Sequence, residues 1–253
     1  MGILESIPFE EEAEDIKERV EGYWTKRAES FYEQRCFELR SGRAVRWLFE
    51  ISNATDDRKN MKILDVGCGA GYFEVLLGRE GHEITGIDLT PEMIDRATTM
   101  IHREELDLSK VSAMVMDAEK PDFPDETFDL IVTRNLTWTL PHPIDAYREW
   151  FRVLKKGGIL LNFDAEYAKG AHTLNQDENI VHKFLSNDMH EENHAIYHML
   201  TISTLDRPDW DTEVLREIGF SAVEADKDFG SRIYVERDEL FMPDKMFMIK
   251  AVK

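Results

Sequence analysis

Residues 63–72 read ILDVGCGAGY, and no other segment limits the fold as tightly. An apolar run ends in an acid, three glycines follow at every second position, and a helical pattern begins at once. That order is strand, turn, helix. Gly67, Gly69 and Gly71 allow a tight turn and a close approach of backbone to ligand. The helix start beyond them offers free N–H groups and positive potential. Asp65 stands just ahead of the turn, where a carboxylate can hold a cationic amine. A dinucleotide fingerprint has the spacing G-x-G-x-x-G, with its third glycine packing helix on strand. Here the spacing is G-x-G-x-G, with Tyr72 and Phe73 next. A carboxylate at position 65 is also a poor neighbour for a pyrophosphate. Both features point away from a nicotinamide dinucleotide and toward a ligand that carries an amino group.

The surrounding chain alternates strand and helix patterns. MKILDV, HEITGID, VSAMVMD, FDLIVT and ILLNFD read as five strands with helical segments between them. This rhythm predicts parallel pairing through crossover helices. Thr90 is the expected cap of the helix that opens with Pro91 and Glu92. PIDAYREWFRVL reads as a helix stopped by KKGG. PDWDTEVLREIGF is a further helix, and SAVEAD and KMFMIKAV are the sixth and seventh strands. A long hydrophilic loop, DFGSRIYVERDELFMPD, is expected between those two strands. Residues 10 to 52 read as helix with a break at Ser41 and Gly42. The expected architecture is α/β, with a seven-stranded Rossmann-like sheet over 61–253 and an N-terminal helical cap over 1–52. The polar, histidine-rich stretch 165–207 after the fifth strand reads as an inserted lid.

Parallel strands in an open sheet gather their carboxyl ends at one crevice, and ligands bind there. Four such ends carry polar or glycine residues. Beside the glycine turn, Asp88 ends the second strand, 23 residues beyond Asp65, where a carboxylate accepts from both hydroxyls of a ribose. The alternative for Asp88 is a cap on the helix at Pro91. Leu89 and Met93 would cover a flat adenine face. Asp117 ends the third strand and suits the adenine amino group, with Ala118 beside it. The fourth strand ends at Thr133, followed by Arg134, Asn135, Leu136, Thr137 and Trp138.

Charge narrows the partners. With 51 acidic and 31 basic residues, the formal net charge of −20 works against nucleic acid and anionic membranes. No run of 18 apolar residues occurs, and the acidic N-terminus lacks a signal-peptide pattern. Two cysteines, Cys36 and Cys68, support neither a disulfide framework nor a Cys-x-x-Cys metal site. A cytoplasmic protein with a small-molecule partner, and with no nucleic acid or membrane, is the expectation.

Over residues 61–165 closely, and 209–252 more loosely, the chain resembles the class I S-adenosylmethionine (SAM) dependent methyltransferases. The likeness is to the small-molecule group typified by ubiquinone and menaquinone methyltransferases. It is carried by ILDVGCGAGY, GIDLTPEMIDRA, MDAEKPDFPDETFDLIVTRN and RVLKKGGILL. The resemblance implies a seven-stranded sheet with its last strand antiparallel. It also implies SAM as cofactor, S-adenosylhomocysteine as product, and methyl transfer to a small acceptor by in-line displacement. Asp65 and the turn from Gly67 to Gly71, with Cys68 and Ala70 as its variable members, would face the methionine part. Asp88 would face the ribose, Asp117 and Ala118 the adenine, and Arg134 and Asn135 the acceptor side of the cofactor.

The segment YWTKRAESFY resembles the helical cap of such enzymes, so Tyr23, Trp24, Arg27 and Tyr32 are candidates to close over the cofactor. Their alternative is the apolar stripe of an amphipathic helix. Trp138, Tyr167 and His172 are candidate walls of the acceptor pocket, and His142 is a candidate general base or a surface residue. His190, His194 and His198 recur every four residues; no resident metal is expected, with these three as the only candidates. Two other readings keep the fold: a non-catalytic SAM-binding module and an NAD-dependent oxidoreductase. A polyamine synthase lacks its acidic acceptor motif here.

Overall fold

Short apolar runs buried on both faces and joined by helices close into one sheet. The computed structural model describes residues 10–167, 186–241 and 244–253. Two helices come first, α1 (Glu10–Leu39) and α2 (Gly42–Ala54). The break between them follows from Ser41, whose hydroxyl donates to the Glu38 carbonyl at 2.8 Å and accepts from the Arg43 N–H. The alternating part runs β1 (Lys62–Val66), α3 (Tyr72–Gly78), β2 (Glu83–Asp88), α4 (Pro91–Arg103), β3 (Val111–Val115), β4 (Phe128–Arg134), α5 (Pro143–Val153) and β5 (Leu154–Asp164). Then follow α6 (Asn187–Met199), α7 (Asp209–Ile218), β6 (Ala222–Asp226), α8 (Phe229–Ile233) and β7 (Phe247–Val252). Single 3-10 turns lie at Thr137–Thr139 and Thr201–Thr204.

The strand order is β3-β2-β1-β4-β5-β7-β6. Strands β1 to β5 pair in parallel, and β7 enters antiparallel between β5 and β6. The chain moves outward from β1 to β3 and then returns to β4 on the other side of β1. That reversal opens a crevice above the carboxyl ends of β1 and β4.

The sheet separates two apolar layers. On one face, Trp47 of α2 meets Phe73, Phe163 and Phe229, with ring centroids 4.9–5.4 Å apart. On the other, Tyr147 and Trp150 of α5 pack with Val214 and Leu215 of α7. Helix α1 joins the first layer only toward its carboxyl end, through Tyr32, Cys36 and Leu39. It leans on α3, α4 and α6 across the carboxyl edge of the sheet.

Several boundaries differ from the sequence reading. The expected hydrophilic loop 228–244 contains α8, whose Phe229 and Ile233 are fully buried. Their spacing of four puts both on one helical face, which anchors the segment in the core. KKGG does not merely stop α5. It is already part of β5, with a register shift opposite Phe128–Leu130 and Gly157 at φ 72°. Thr90 precedes α4 but makes no side-chain cap, and its own N–H donates to Asp88 Oδ1 at 2.9 Å. Among the described residues, no helix is long and apolar enough to cross a membrane.

Candidate active site

The three glycines of the turn sit at φ 70°, 53° and 87°, a region open to glycine and strained for other residues. The N–H groups of Gly67 and Cys68 both donate to the Ile87 carbonyl, at 2.8 and 3.0 Å. A Cβ on Gly71 would stand 2.9 Å from the Ala97 Cα, so α4 packs directly on the backbone there. Gly69 N–H donates to Asp88 Oδ2 at 3.0 Å. Asp88 therefore braces the turn with one oxygen and the start of α4 with the other. Leu89 is half-buried, and Met93 packs with Ala70 and Ala28. Trp24, Phe31 and Tyr32 of α1 complete that small cluster, and Phe31 reaches to 3.0 Å from where a Gly69 Cβ would be. Tyr32 also lies 3.4 Å from Arg103 at the end of α4.

Beneath the turn, Asp65 and Glu74 are both buried and within hydrogen-bond reach of each other. With both ionised, neither Glu74 oxygen has a donor. One shared proton turns the contact into a hydrogen bond. Burial, then the neighbouring carboxylates, pushes Glu74 well up, and burial raises Asp65. The Cys68 thiol is raised by its own burial and by the same acids. The unfolded chain loses both protons near pH 4, while the folded pair keeps one to higher pH. The folded state then binds more protons, so stability falls as pH rises above about 4. Glu74→Gln keeps the hydrogen bond and removes one ionisation. It is expected to flatten this slope by up to about 1.4 kcal/mol per pH unit between roughly pH 5 and 7. Urea unfolding at stepped pH measures it, and an unchanged slope would refute the shared proton.

Asp117 lies two residues beyond β3. Lys17 of α1 reaches it at 2.7 Å and Glu119 at 2.6 Å. Burial opposes the charge on Lys17, but the hydrogen bonds to these two acids raise its pKa. Ala118 is buried and its carbonyl accepts from Trp150 Nε1 at 2.9 Å. Glu119 also holds His142, by the backbone N–H at 2.6 Å and by Nδ1 at 3.2 Å.

At the end of β4, Arg134 is buried and doubly bonded to Glu38, at 2.9 and 3.1 Å, and to the Tyr234 hydroxyl at 2.8 Å. Its guanidinium lies over the rings of Trp47 and Tyr72, 4.5 and 5.2 Å from their centroids. Arg35 bonds the same Glu38 carboxylate. Asn135 has φ 58°, accepts from Tyr167 Oη at 2.6 Å through its side chain, and from Trp138 Nε1 at 2.9 Å through its carbonyl. Trp138 stands 5.4 Å from Tyr167 and 4.8 Å from Tyr197, ring to ring, and Tyr23 of α1 joins this apolar cluster. Below it, Arg207 pairs with Asp164 and Asp211, and Asp164 takes the Trp138 N–H at 3.0 Å.

A shallow groove runs past Trp138, Tyr167, Glu166 and Arg207. A second holds His142, Asp145 and Trp210. Ile202 and Leu205 line both, so His142 and Trp138 face different grooves.

The strand ends thus bring together the glycine turn, Asp65, Tyr72, Asp88, Met93, Arg134 and Asn135, with Tyr23, Trp24 and Tyr32 above them. His172 lies outside the described residues. His190, His194 and His198 follow one another along α6, whose inward residues are Asn193, Ile196 and Tyr197. Among the described residues, no three His, Cys, Asp or Glu side chains gather as a metal site. The sequence reading missed Lys17, Arg35, Glu38, Glu74, Arg207 and Tyr234. Glu38 and Arg35 offered one signal, opposite charges three apart on the inner stripe of an otherwise polar helix.

The methyltransferase-domain family matches residues 64–162. Phosphatidylethanolamine N-methyltransferase of Cereibacter sphaeroides is 40% identical over 98 residues, 38% of this chain and 47% of the relative. Demethylmenaquinone methyltransferase of Listeria welshimeri is 31% identical over 124 residues, 47% of this chain and 51% of the relative. The chain therefore spans about half the length of the curated relatives it matches. Among solved structures, phosphoethanolamine N-methyltransferase 2 of Haemonchus contortus, in complex with SAM, superposes with a TM-score of 0.59. That match has 19% identity and covers 80% of this chain and 51% of the other. Residues 64–162 match the methyltransferase-domain family, within a chain that has the fold of SAM-dependent methyltransferases.

Proposed function

We propose that this protein binds SAM at the glycine turn and transfers its methyl group to a small-molecule acceptor, releasing S-adenosylhomocysteine. The observation that carries this reading is the meeting of Asp65, the glycine turn, Asp88 and Arg134 at the strand-order reversal, with Gly69 N–H on Asp88. The residues fit the cofactor in character. Asp65 and Glu74 form a buried acidic pocket with no cationic hydrogen-bond partner, suited to an ammonium. Asp88 has lone pairs left for ribose hydroxyls. Met93 supplies an apolar face. Asp117 suits the adenine amine once Lys17 yields that oxygen or moves to Glu119.

Bound SAM supplies a methyl group on a positively charged sulfur. The chain then has to hold the donor, align the acceptor and exclude water. Trp24 and Phe31 roof the turn with their rings 5.3 Å apart, and since the Arg35 guanidinium already lies 4.3 Å from the Phe31 centroid, Trp24 is the ring that would offer an electron-rich face to a cation. Trp138, Tyr167 and Tyr23 form the wall from which an acceptor would approach, with Asn135 fixing Tyr167 and Trp138. His142, tied to Glu119 in the neighbouring groove, has no assigned part in the displacement. Two free thiols, Cys36 and Cys68, suit the cytoplasm.

Calorimetric titration with SAM is expected to give saturable binding, and NADH none. Labelled SAM with a mixed small-metabolite extract is expected to yield S-adenosylhomocysteine and a labelled small product. Binding without turnover would favour the interaction-module reading, and binding of NADH alone would overturn both.

A further inference from the structure

Resting on that reading, one side chain on α1 points to what the acceptor carries. Arg27 is only 5% exposed, in the middle of the inner face of α1. Every other buried arginine among the described residues has an acid beside it: Arg35 and Arg134 have Glu38, Arg43 has Asp238, and Arg207 has Asp164 and Asp211. Arg27 has no ion pair with any described residue, and its Nε is shielded from water without a hydrogen-bond partner. Seven residues on, about two helical turns and 10.5 Å along the same face, the Gln34 Oε1 is likewise buried and unpartnered. Burial pulls the Arg27 pKa down, with only the Tyr23 phenol to offset it. An unpaired buried guanidinium is costly to keep, so its position asks for an anion that arrives from outside.

Its place on the helix says which side that anion takes. Tyr23, one turn earlier, belongs to the aromatic cluster of Trp138, Tyr167 and Tyr197. Trp24, Ala28 and Phe31, turned toward the other edge, cover the glycine turn and Met93. Arg27 stands between the two groups, on the Tyr23 edge. We propose that Arg27 is the specificity-determining residue of the acceptor site, binding a carboxylate or phosphate group of the acceptor. In a chain of net charge −20, long-range attraction does not recruit such a molecule, so a local fork of N–H donors has to select it.

The test uses the full chain saturated with S-adenosylhomocysteine, so that the cofactor's own carboxylate is already in place. Inorganic phosphate and succinate, in turn, are titrated at constant ionic strength, and tryptophan fluorescence and thermal midpoint are followed. Wild type is expected to bind at least one of the two saturably, and Arg27→Met to lose at least tenfold of that affinity. Its affinity for S-adenosylhomocysteine should stay within about twofold. The unliganded Arg27→Met protein should melt a few degrees higher, because a desolvated charge has been removed. A structural ion pair would give the opposite sign. A tenfold or larger loss of S-adenosylhomocysteine affinity in Arg27→Met would mean that the cofactor's carboxylate is the occupant, and would overturn the proposal. A lower midpoint, or no saturable response to either anion in wild type, would overturn it too. Failure of wild type to bind S-adenosylhomocysteine at all would instead sink the methyl-transfer reading.

Discussion

Asp88→Ala is expected to weaken SAM binding by roughly 30- to 1000-fold while the protein remains folded. Two hydrogen bonds from ribose hydroxyls to a charged acceptor are together worth about 2–4 kcal/mol in this setting. The loss has a second source, because Asp88 also takes the N–H groups of Gly69 and Thr90. Without it the glycine turn loses its brace as well as its ribose partner. Asp88→Asn separates the two effects. The amide oxygen keeps one backbone bond, so the turn should hold, while affinity still falls for want of charge. Calorimetry with SAM measures the affinity, and circular dichroism follows the fold. Unchanged affinity in the alanine variant would remove the nucleoside from this end of β2.

Glu38→Ala is expected to cost about 3–5 kcal/mol of stability, because it leaves two desolvated guanidinium groups with no counter-charge. Glu38 is 1% exposed and serves Arg35, Arg134 and the Trp47 Nε1 at once. Burial works against its charge, but Arg134 and Arg35 outweigh burial and hold its pKa down at about 2. An unfolded glutamate titrates near 4.3. The Glu38 contribution is therefore complete above about pH 4.3 and fades as pH falls toward 2. Urea unfolding at neutral pH and again near pH 3 tests both parts. The gap between wild type and Glu38→Ala should narrow in acid, and a gap that is small at pH 7 would show that Glu38 carries no such load.

The sheet was legible because its signals are local. A strand ending in an acid, a glycine run and a helix start declare themselves within ten residues, as ILDVGCGAGY does. The antiparallel seventh strand came only through family resemblance, since KMFMIKAV does not announce its direction. The glycine turn and Asp88 were legible for the same reason as the strands. The pairing of Glu38 with Arg134 was not, because nothing in the sequence shows that residues 96 apart meet. Lys17 on Asp117 escaped for that reason too, across 100 residues. The segment 228–244 was misread because charges around Phe229 and Ile233 hid two fully buried anchors. Polarity averaged over a window conceals a pair of side chains that meet the core on their own.

Phe31 stands directly over Gly69, on a helix fastened near one end by Lys17 on Asp117 and Glu119 and at the other by Glu38 on Arg134. On the proposed reading, a nucleoside at that turn would enter and leave past Phe31, which α1 carries. Turnover in this architecture is expected to be paced by the departure of the spent donor, with the displacement itself comparatively quick.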